Sequence, residues 1–275
     1  MNPDELSALW TFADPAASEG RFKALLDTDL TPAERIEVQT QIARAMGLQR
    51  QFEQALNLLD GLRPSLDELD LDDAAARRGA VRWFLEHGRC LASAIHRDHP
   101  GRALRDYSTA FDRAVAAGED ALAADAAHMA AIVTEDRVSE AWTARGLSIA
   151  EASTDRAARN WRGSLLNNRG MTRHENGHYP AALADFEDAL AARREQGDPE
   201  RIFIAEWMIA WTYRAMGRHE EALELLAGLE ARAEARQVID PYVFDEQGEN
   251  LRALGRTAEA QAAEARAKAA RTPPA

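Results

Sequence analysis

Gly177-His178-Tyr179-Pro180-Ala181-Ala182-Leu183-Ala184-Asp185-Phe186 returns, forty residues on, as Gly217-Arg218-His219-Glu220-Glu221-Ala222-Leu223-Glu224-Leu225-Leu226. Each stretch places a glycine five residues before a small side chain, Ala182 or Ala222, and a bulky apolar one, Phe186 or Leu226, four residues after it. Residues i and i+4 share a helical face, so each stretch reads as a turn leading into a helix whose buried side carries small and large residues together. A small residue there lets two helix backbones approach closely; a larger one would push them apart.

Outward from these two stretches, six anchor alanines align: Ala55, Ala103, Ala141, Ala182, Ala222 and Ala260, with gaps of 48, 38, 41, 40 and 38 residues. A recurring period in this range marks stacked two-helix repeats. Leu59, Tyr107, Phe186 and Leu226 follow their anchors by four residues, and Ala110, Ala189, Leu229 and Ala267 come three further on. Arg50, Asp136, Gly177, Gly217 and Gly255 stand five residues before their anchors, where a preceding helix must end. Helix starts are written as clearly: Thr31-Pro32-Ala33-Glu34 is a capping box, and Asp198-Pro199 and Asp240-Pro241 are cap-then-proline pairs. The spacing predicts helix pairs at about 32–48 and 51–62, 72–95 and 100–117, 120–134 and 138–151, 155–176 and 179–195, 199–216 and 219–236, then 242–254 and 257–270, with no strand signal between them.

Composition bounds the function classes. The 275 residues are 46% hydrophobic and 29% charged, with no stretch near the roughly 20 apolar residues of a membrane span. Met1-Asn2-Pro3-Asp4-Glu5 lacks the basic and then apolar opening of a secretory signal, and Cys90 is the lone cysteine, so a cytoplasmic location is expected. A formal charge of −13 opposes the phosphate neutralisation on which nucleic-acid binding depends. Only Lys23 and Lys268 are lysines, so arginine carries nearly all the positive charge and no arginine stands out by its type.

Asn168-Arg169-Gly170, Gly177, Tyr179, Ala182-Leu183, Phe186 and Ala189-Leu190 resemble the tetratricopeptide repeat, and the following repeat resembles it as well. Because the period exceeds the family's 34 residues by about two helical turns, the array is most similar to the longer-repeat, kinesin-light-chain-like variety. It also resembles bacterial tetratricopeptide proteins in general, which brings no function with it. The resemblance implies an all-α fold, a right-handed α-α superhelical solenoid of about six helix pairs spanning 32–270. Residues 1–31, with Leu6, Leu9, Trp10, Phe12, Phe22 and Leu25 at helical spacing, are expected to form the N-terminal cap that a terminal repeat requires, and 271–275 a disordered tail.

In this family the first helix of each repeat lines a concave groove. Carried onto this chain, those positions include Arg44, Arg89, Asn167, Met171, His174, Trp207, Trp211 and Arg214, with Ser164, Ile204, Tyr242 and Arg252 on the same face. Exposed aromatic rings flanked by arginine anchor peptides well; the competing reading is that the tryptophans fill the gap between repeats and the arginines sit in water. The family's clamp for acidic chaperone C-terminal tails would need Lys, Asn and Arg where this chain has Glu37, Gln41, Ala123, Ala127, Ser164, Asn168, Ile204 and Met208, which argues against such tails.

Asp125 and His128 fall on positions that normally pack, Arg145 stands where an aromatic is usual, and Arg169 is expected to face the core. Buried charges persist only when paired, so the four define an alternative central polar cluster for a small molecule or signalling peptide; a shift of register would put them in water instead. His87 and Cys90, with His96 and His99, have three-residue spacings but match no zinc signature, and neither metal nor cofactor is expected. No HExxH, GxSxG or phosphate loop is present. The expectation is a non-enzymatic scaffold that binds a peptide or helix of another protein in the groove.

Overall fold

A computed structural model describes residues 3–93, 100–237 and 240–271, and those residues are predominantly helical, with no strand among them. The chain divides into two compact units, Met1–Trp161 and Arg162–Ala275.

The N-terminal unit opens with α1 (Pro3–Ala8) and α2 (Pro15–Leu25), then carries three helix pairs: α3 (Pro32–Leu48) with α4 (Phe52–Asp67), α5 (Ala74–Leu91) with α6 (Pro100–Ala117), and α7 (Asp120–Ile132) with α8 (Asp136–Ala152). The short α9 (Arg156–Arg159) closes it. Leu6 of α1 and Phe22 of α2 are buried against Val38 and Ile42 of α3, so the opening helices cover the apolar face of the first pair. Thr31 accepts from the Glu34 amide and Glu34 accepts back from the Thr31 amide, which fixes the start of α3. First helices pack on one another, α3 on α5 and α5 on α7, while each second helix packs on its own partner.

The C-terminal unit repeats this plan with α10 (Arg162–Glu175) and α11 (Tyr179–Gln196), α12 (Pro199–Ala215) and α13 (His219–Ala235), and α14 (Pro241–Ala253) and α15 (Thr257–Arg271). Leu226 and Leu229 are fully buried against Ala210 and Val243, worth about 1.5–3 kcal/mol for each side chain.

The expected turn residues all adopt left-handed backbone: Arg50, Asp136, Gly177, Gly217 and Gly255 have φ between 48 and 75°. Five of the six anchors are buried, at 0% exposure for Ala55, Ala103, Ala182 and Ala222 and 2% for Ala260. Ala141 is exposed. In α8 the buried series is Ser139, Thr143, Gly146 and Ala150, so the small-residue stripe begins two residues earlier than the alignment places it. Two further boundaries move. The helix expected over 155–176 is interrupted at Asn160 and Trp161, where the chain passes from one unit to the next. The helix expected to stop at 62 runs on through Pro64 to Asp67, because Leu66 still packs against the cluster formed by Leu59, Leu62 and Trp83. Arg271 ends α15, and the rest of the expected tail, 272–275, lies outside the described residues.

Two glycines set the closeness of the pairs. A Cβ on Gly88 of α5 would stand 2.6 Å from the Tyr107 ring of α6, and a Cβ on Gly170 of α10 would stand 2.6 Å from the Phe186 ring of α11. In both units, then, the large residue four places past the anchor sets its ring against a bare stretch of first-helix backbone.

Candidate functional site

In the C-terminal unit α10, α12 and α14 bring several of the expected groove residues together. His174 at the end of α10 stacks on Trp211 of α12, ring centroids 3.4 Å apart and 19° from parallel, and Trp207 lies one turn away, 6.2 Å from Trp211 and also stacked. Tyr179 meets the His174 ring edge-on at 5.0 Å. Spacing of three or four residues along α12 puts Ile204, Trp207 and Trp211 on one face. Trp207 donates its indole N–H to the Tyr242 carbonyl at 3.3 Å, which ties α12 to the start of α14. Arg214 is held bidentately by Glu246 of α14, one of the two bonds being 3.2 Å. Ile204 is 50% exposed and Tyr242 64% exposed, while Trp207 and Trp211 are half-buried, so this face offers a substantial apolar surface to solvent. Asn167 is half-buried on α10, and Met171 packs against the cluster beneath the tryptophans.

His174 is 8% exposed and its Nε2 has no hydrogen-bond partner among the described residues. Burial, with the Arg214 charge behind it, holds its imidazolium below the ordinary histidine range, so the ring is neutral near pH 7.

Arg44 and Arg89 lie in the N-terminal unit, and they share a carboxylate. Glu86 accepts from Arg89 at 2.5 Å and from Arg44 at 3.3 Å, and Arg89 also donates to Asp125 at 2.5 Å. Burial alone would raise the Asp125 carboxyl, but Arg89 and then Arg44 outweigh it and hold the group below its ordinary value. A second buried acid, Glu37, takes two bonds from Arg78, at 2.9 and 3.1 Å, and one from Arg82 at 3.3 Å. Arg44, Arg82, Glu86 and Asp125 line a cavity of about 180 Å³ whose other walls include Trp10 and Trp161.

Each residue of the alternative polar cluster has its own surroundings. Asp125 is paired with Arg89, and His128 faces the Trp161 ring at 5.2 Å. Arg145 is exposed and lies 4.7 Å over the Trp142 ring, because the shifted register of α8 turns it away from the buried side. Arg169 is half-buried and forks onto Asp185 of α11, with bonds of 2.6 and 3.1 Å, so it braces its own helix pair instead of facing the core.

The charged residue that truly enters the packing stripe is one that sequence reading missed. Arg193 stands eleven residues past Ala182, where Ala114, Ala150 and Ala233 stand in other second helices, and it is 8% exposed. It donates to Ser164 at 2.7 Å and Gln196 at 3.1 Å, both uncharged. Burial, with the nearby Arg201 charge adding to it, lowers this guanidinium to about 10. The signal was present in the aligned repeats as an arginine in a column that holds alanine at 114, 152 and 233, although Arg271 ends the last repeat in the same column.

His87 is buried, bonded to Asp106 at 2.6 Å and stacked on Trp83. Cys90 is buried too, its thiol pushed up to about 12 by burial and the adjacent Glu86. Among the described residues no group of three or more His, Cys, Asp or Glu side chains is placed to hold a metal, and His96 and His99 lie outside those residues.

Residues 161–235 match the family model described as tetratricopeptide repeat. No curated protein sequence matches the chain. Among solved structures, the signal-transduction ATPase with numerous domains of Pyrococcus horikoshii, which has a tetratricopeptide repeat sensor, superposes with a TM-score of 0.72 at 11% identity over 93% of this chain. This chain spans only 39% of that protein. BtubC (BKLC) from P. vanneervenii gives a TM-score of 0.62 at 16% identity, covering 84% of this chain and 92% of its own. NprR, a quorum sensor from B. thuringiensis, in complex with its cognate peptide NprX gives 0.57 at 14% identity, covering 98% of this chain and 78% of its own. Residues 161–235 are similar to tetratricopeptide repeats, and the chain has an all-α helical-repeat fold like that of these proteins. No helix among the described residues is long and apolar enough to cross a membrane.

Proposed function

We propose that the protein is a non-enzymatic interaction scaffold that holds a peptide or helical segment of another protein on the α10–α12–α14 face of its C-terminal unit. One observation carries the reading: half-exposed Trp207 and Trp211 lie on one face of α12 with exposed Ile204, beside exposed Tyr242. Exposed apolar area of this kind, edged by a charged group such as Arg214, is the composition of a protein contact site. Rigid rings add contact area at small entropic cost. The peptide complex of NprR, similar in fold, supports the same class of partner. The competing view, that both tryptophans are packing alone, predicts that their loss unfolds the unit.

Affinity capture from the cells that make the protein, comparing wild type with Trp207→Ala/Trp211→Ala, separates the two. The scaffold reading expects loss of a captured protein with an unchanged circular dichroism spectrum. Loss of helicity together with capture would mean the rings serve the core. Ile204→Glu, at a half-exposed position, should then abolish capture without unfolding if the face is a contact site.

A further inference from the structure

We propose that the cavity in the N-terminal unit, walled by α3, α5, α7 and the segment around Trp10, binds a small organic carboxylate through Arg44 and Arg82. The volume fits: about 180 Å³ is available, and a cavity of about 150 Å³ holds benzene, so one ring with its carboxylate can enter.

The two arginines have donors to give. Among the described residues Arg44 donates once, to Glu86 at 3.3 Å, and Arg82 once, to Glu37 at 3.3 Å. Each guanidinium has five N–H groups in a planar fork, so most of their capacity is unspent. Their side chains are 25% and 18% exposed, which leaves them within reach of a ligand yet largely out of water. Arg89, by contrast, is committed to both Glu86 and Asp125.

The unspent donors point to an anion. Arg44, Arg78, Arg82 and Arg89 face the carboxylates of Glu37, Glu86 and Asp125 at hydrogen-bonding distance, while Glu119 stands 3.9 Å from Arg78 at the edge of the group. The group is formally balanced, four arginines to four carboxylates, so it is the unspent fork donors of Arg44 and Arg82 that favour an anion, and a planar carboxylate accepts two parallel bonds from such a fork. Trp10 spends its indole N–H on Gln41 at 3.0 Å, so what it turns to the cavity is apolar ring, and half-buried Trp161 lines the cavity as well. Rings on the walls and guanidiniums behind them select an arylcarboxylate over an inorganic anion.

Calorimetric titration of the full chain with phenylacetate, with phenylacetamide as the uncharged twin, tests this. A blocked tripeptide ending in phenylalanine, as free acid and as amide, distinguishes a chain terminus from a free metabolite as the source of the carboxylate. Phenylacetate or the acid peptide should bind, each amide at least tenfold more weakly, and Arg44→Gln and Arg82→Gln should each weaken binding at least tenfold. Whichever acid binds more tightly names the source. Arg44→Lys keeps the charge beside Glu86 and loses the fork, so it should fold and still bind more weakly even if the glutamine variant does not fold. Ile204→Glu should bind phenylacetate like wild type, which separates this site from the partner-binding face. No heat with either acid, equal binding of acids and amides, or wild-type affinity in the folded arginine variants overturns the proposal.

Discussion

Asp125 and Arg89 are the residues whose removal should cost most for their size. Asp125→Ala leaves Arg89 with Glu86 alone, and the expected loss is at the lower end of about 3–5 kcal/mol, read by urea denaturation; an unchanged midpoint would contradict the pairing. Because the Asp125 pKa is depressed in the folded state, its stabilisation is complete above the unfolded value near 4 and is lost as pH falls through the lower folded value. Asp125→Asn should therefore flatten the acid limb of the stability profile. His174 carries the opposite protonation logic. Its folded pKa is also depressed, but here the neutral form is the native one, so the unfolded chain takes up a proton first as pH drops below about 6.5 and stability declines from there downward. Melting temperatures of wild type and His174→Gln at pH 7.5 and 5.5 should show the smaller pH effect in the variant; parallel losses would exclude His174 as the source. Arg193 is the contrasting case. Its hydrogen bonds among the described residues go to neutral Ser164 and Gln196, so Arg193→Met is expected to change stability by less than about 1 kcal/mol, whereas Arg89→Met should cost several. Equal losses would mean that Arg193 is better compensated than its two neutral partners provide.

At the scale of the helix pair, close approach governs. Gly170→Ala and Gly88→Ala insert a methyl group 2.6 Å from a buried ring and should each cost about 1–3 kcal/mol. Gly61→Ala and Gly228→Ala, on exposed helix positions with nothing within 4 Å, should be neutral or stabilising by up to about 1 kcal/mol. Reversed signs in thermal melts would show that the pairs are not held at the glycines. This geometry explains what could be read from the chain alone. Alanine anchors, left-handed turns and proline-marked starts are local rules, and they located nearly every helix and all five turn residues. Ala141 misled because α8 carries Ser139 and Thr143 in the stripe, polar residues small enough to pack but invisible to a search for alanine. Arg145 followed it into the wrong environment. The partners of Asp125 and Arg44 were not legible, since Arg89 and Glu86 are brought to them from another helix by packing, with no fixed spacing in sequence.

Across the molecule, buried acids gather much of the arginine. Glu37, Glu86, Asp185, Glu206 and Glu246 are nearly buried, and each takes arginine from neighbouring positions, so much of the positive charge is spent inside the fold. The whole chain carries a formal net charge of −13. A partner that meets such a surface is favoured if its segment is neutral or basic, and for a basic one association should slow as salt rises from 50 to 500 mM, measured by surface plasmon resonance. Faster association in salt would point to an acidic segment. The scaffold reading itself is tested most directly by site-specific photocrosslinking. A benzophenone amino acid is placed at Ile204 or Tyr242 on the proposed face, and at Ala191, exposed on α11, as the control. The account predicts that a discrete protein adduct forms in cells from positions 204 and 242 and not from 191. Adducts from 191 alone, or equally from all three positions, would contradict it.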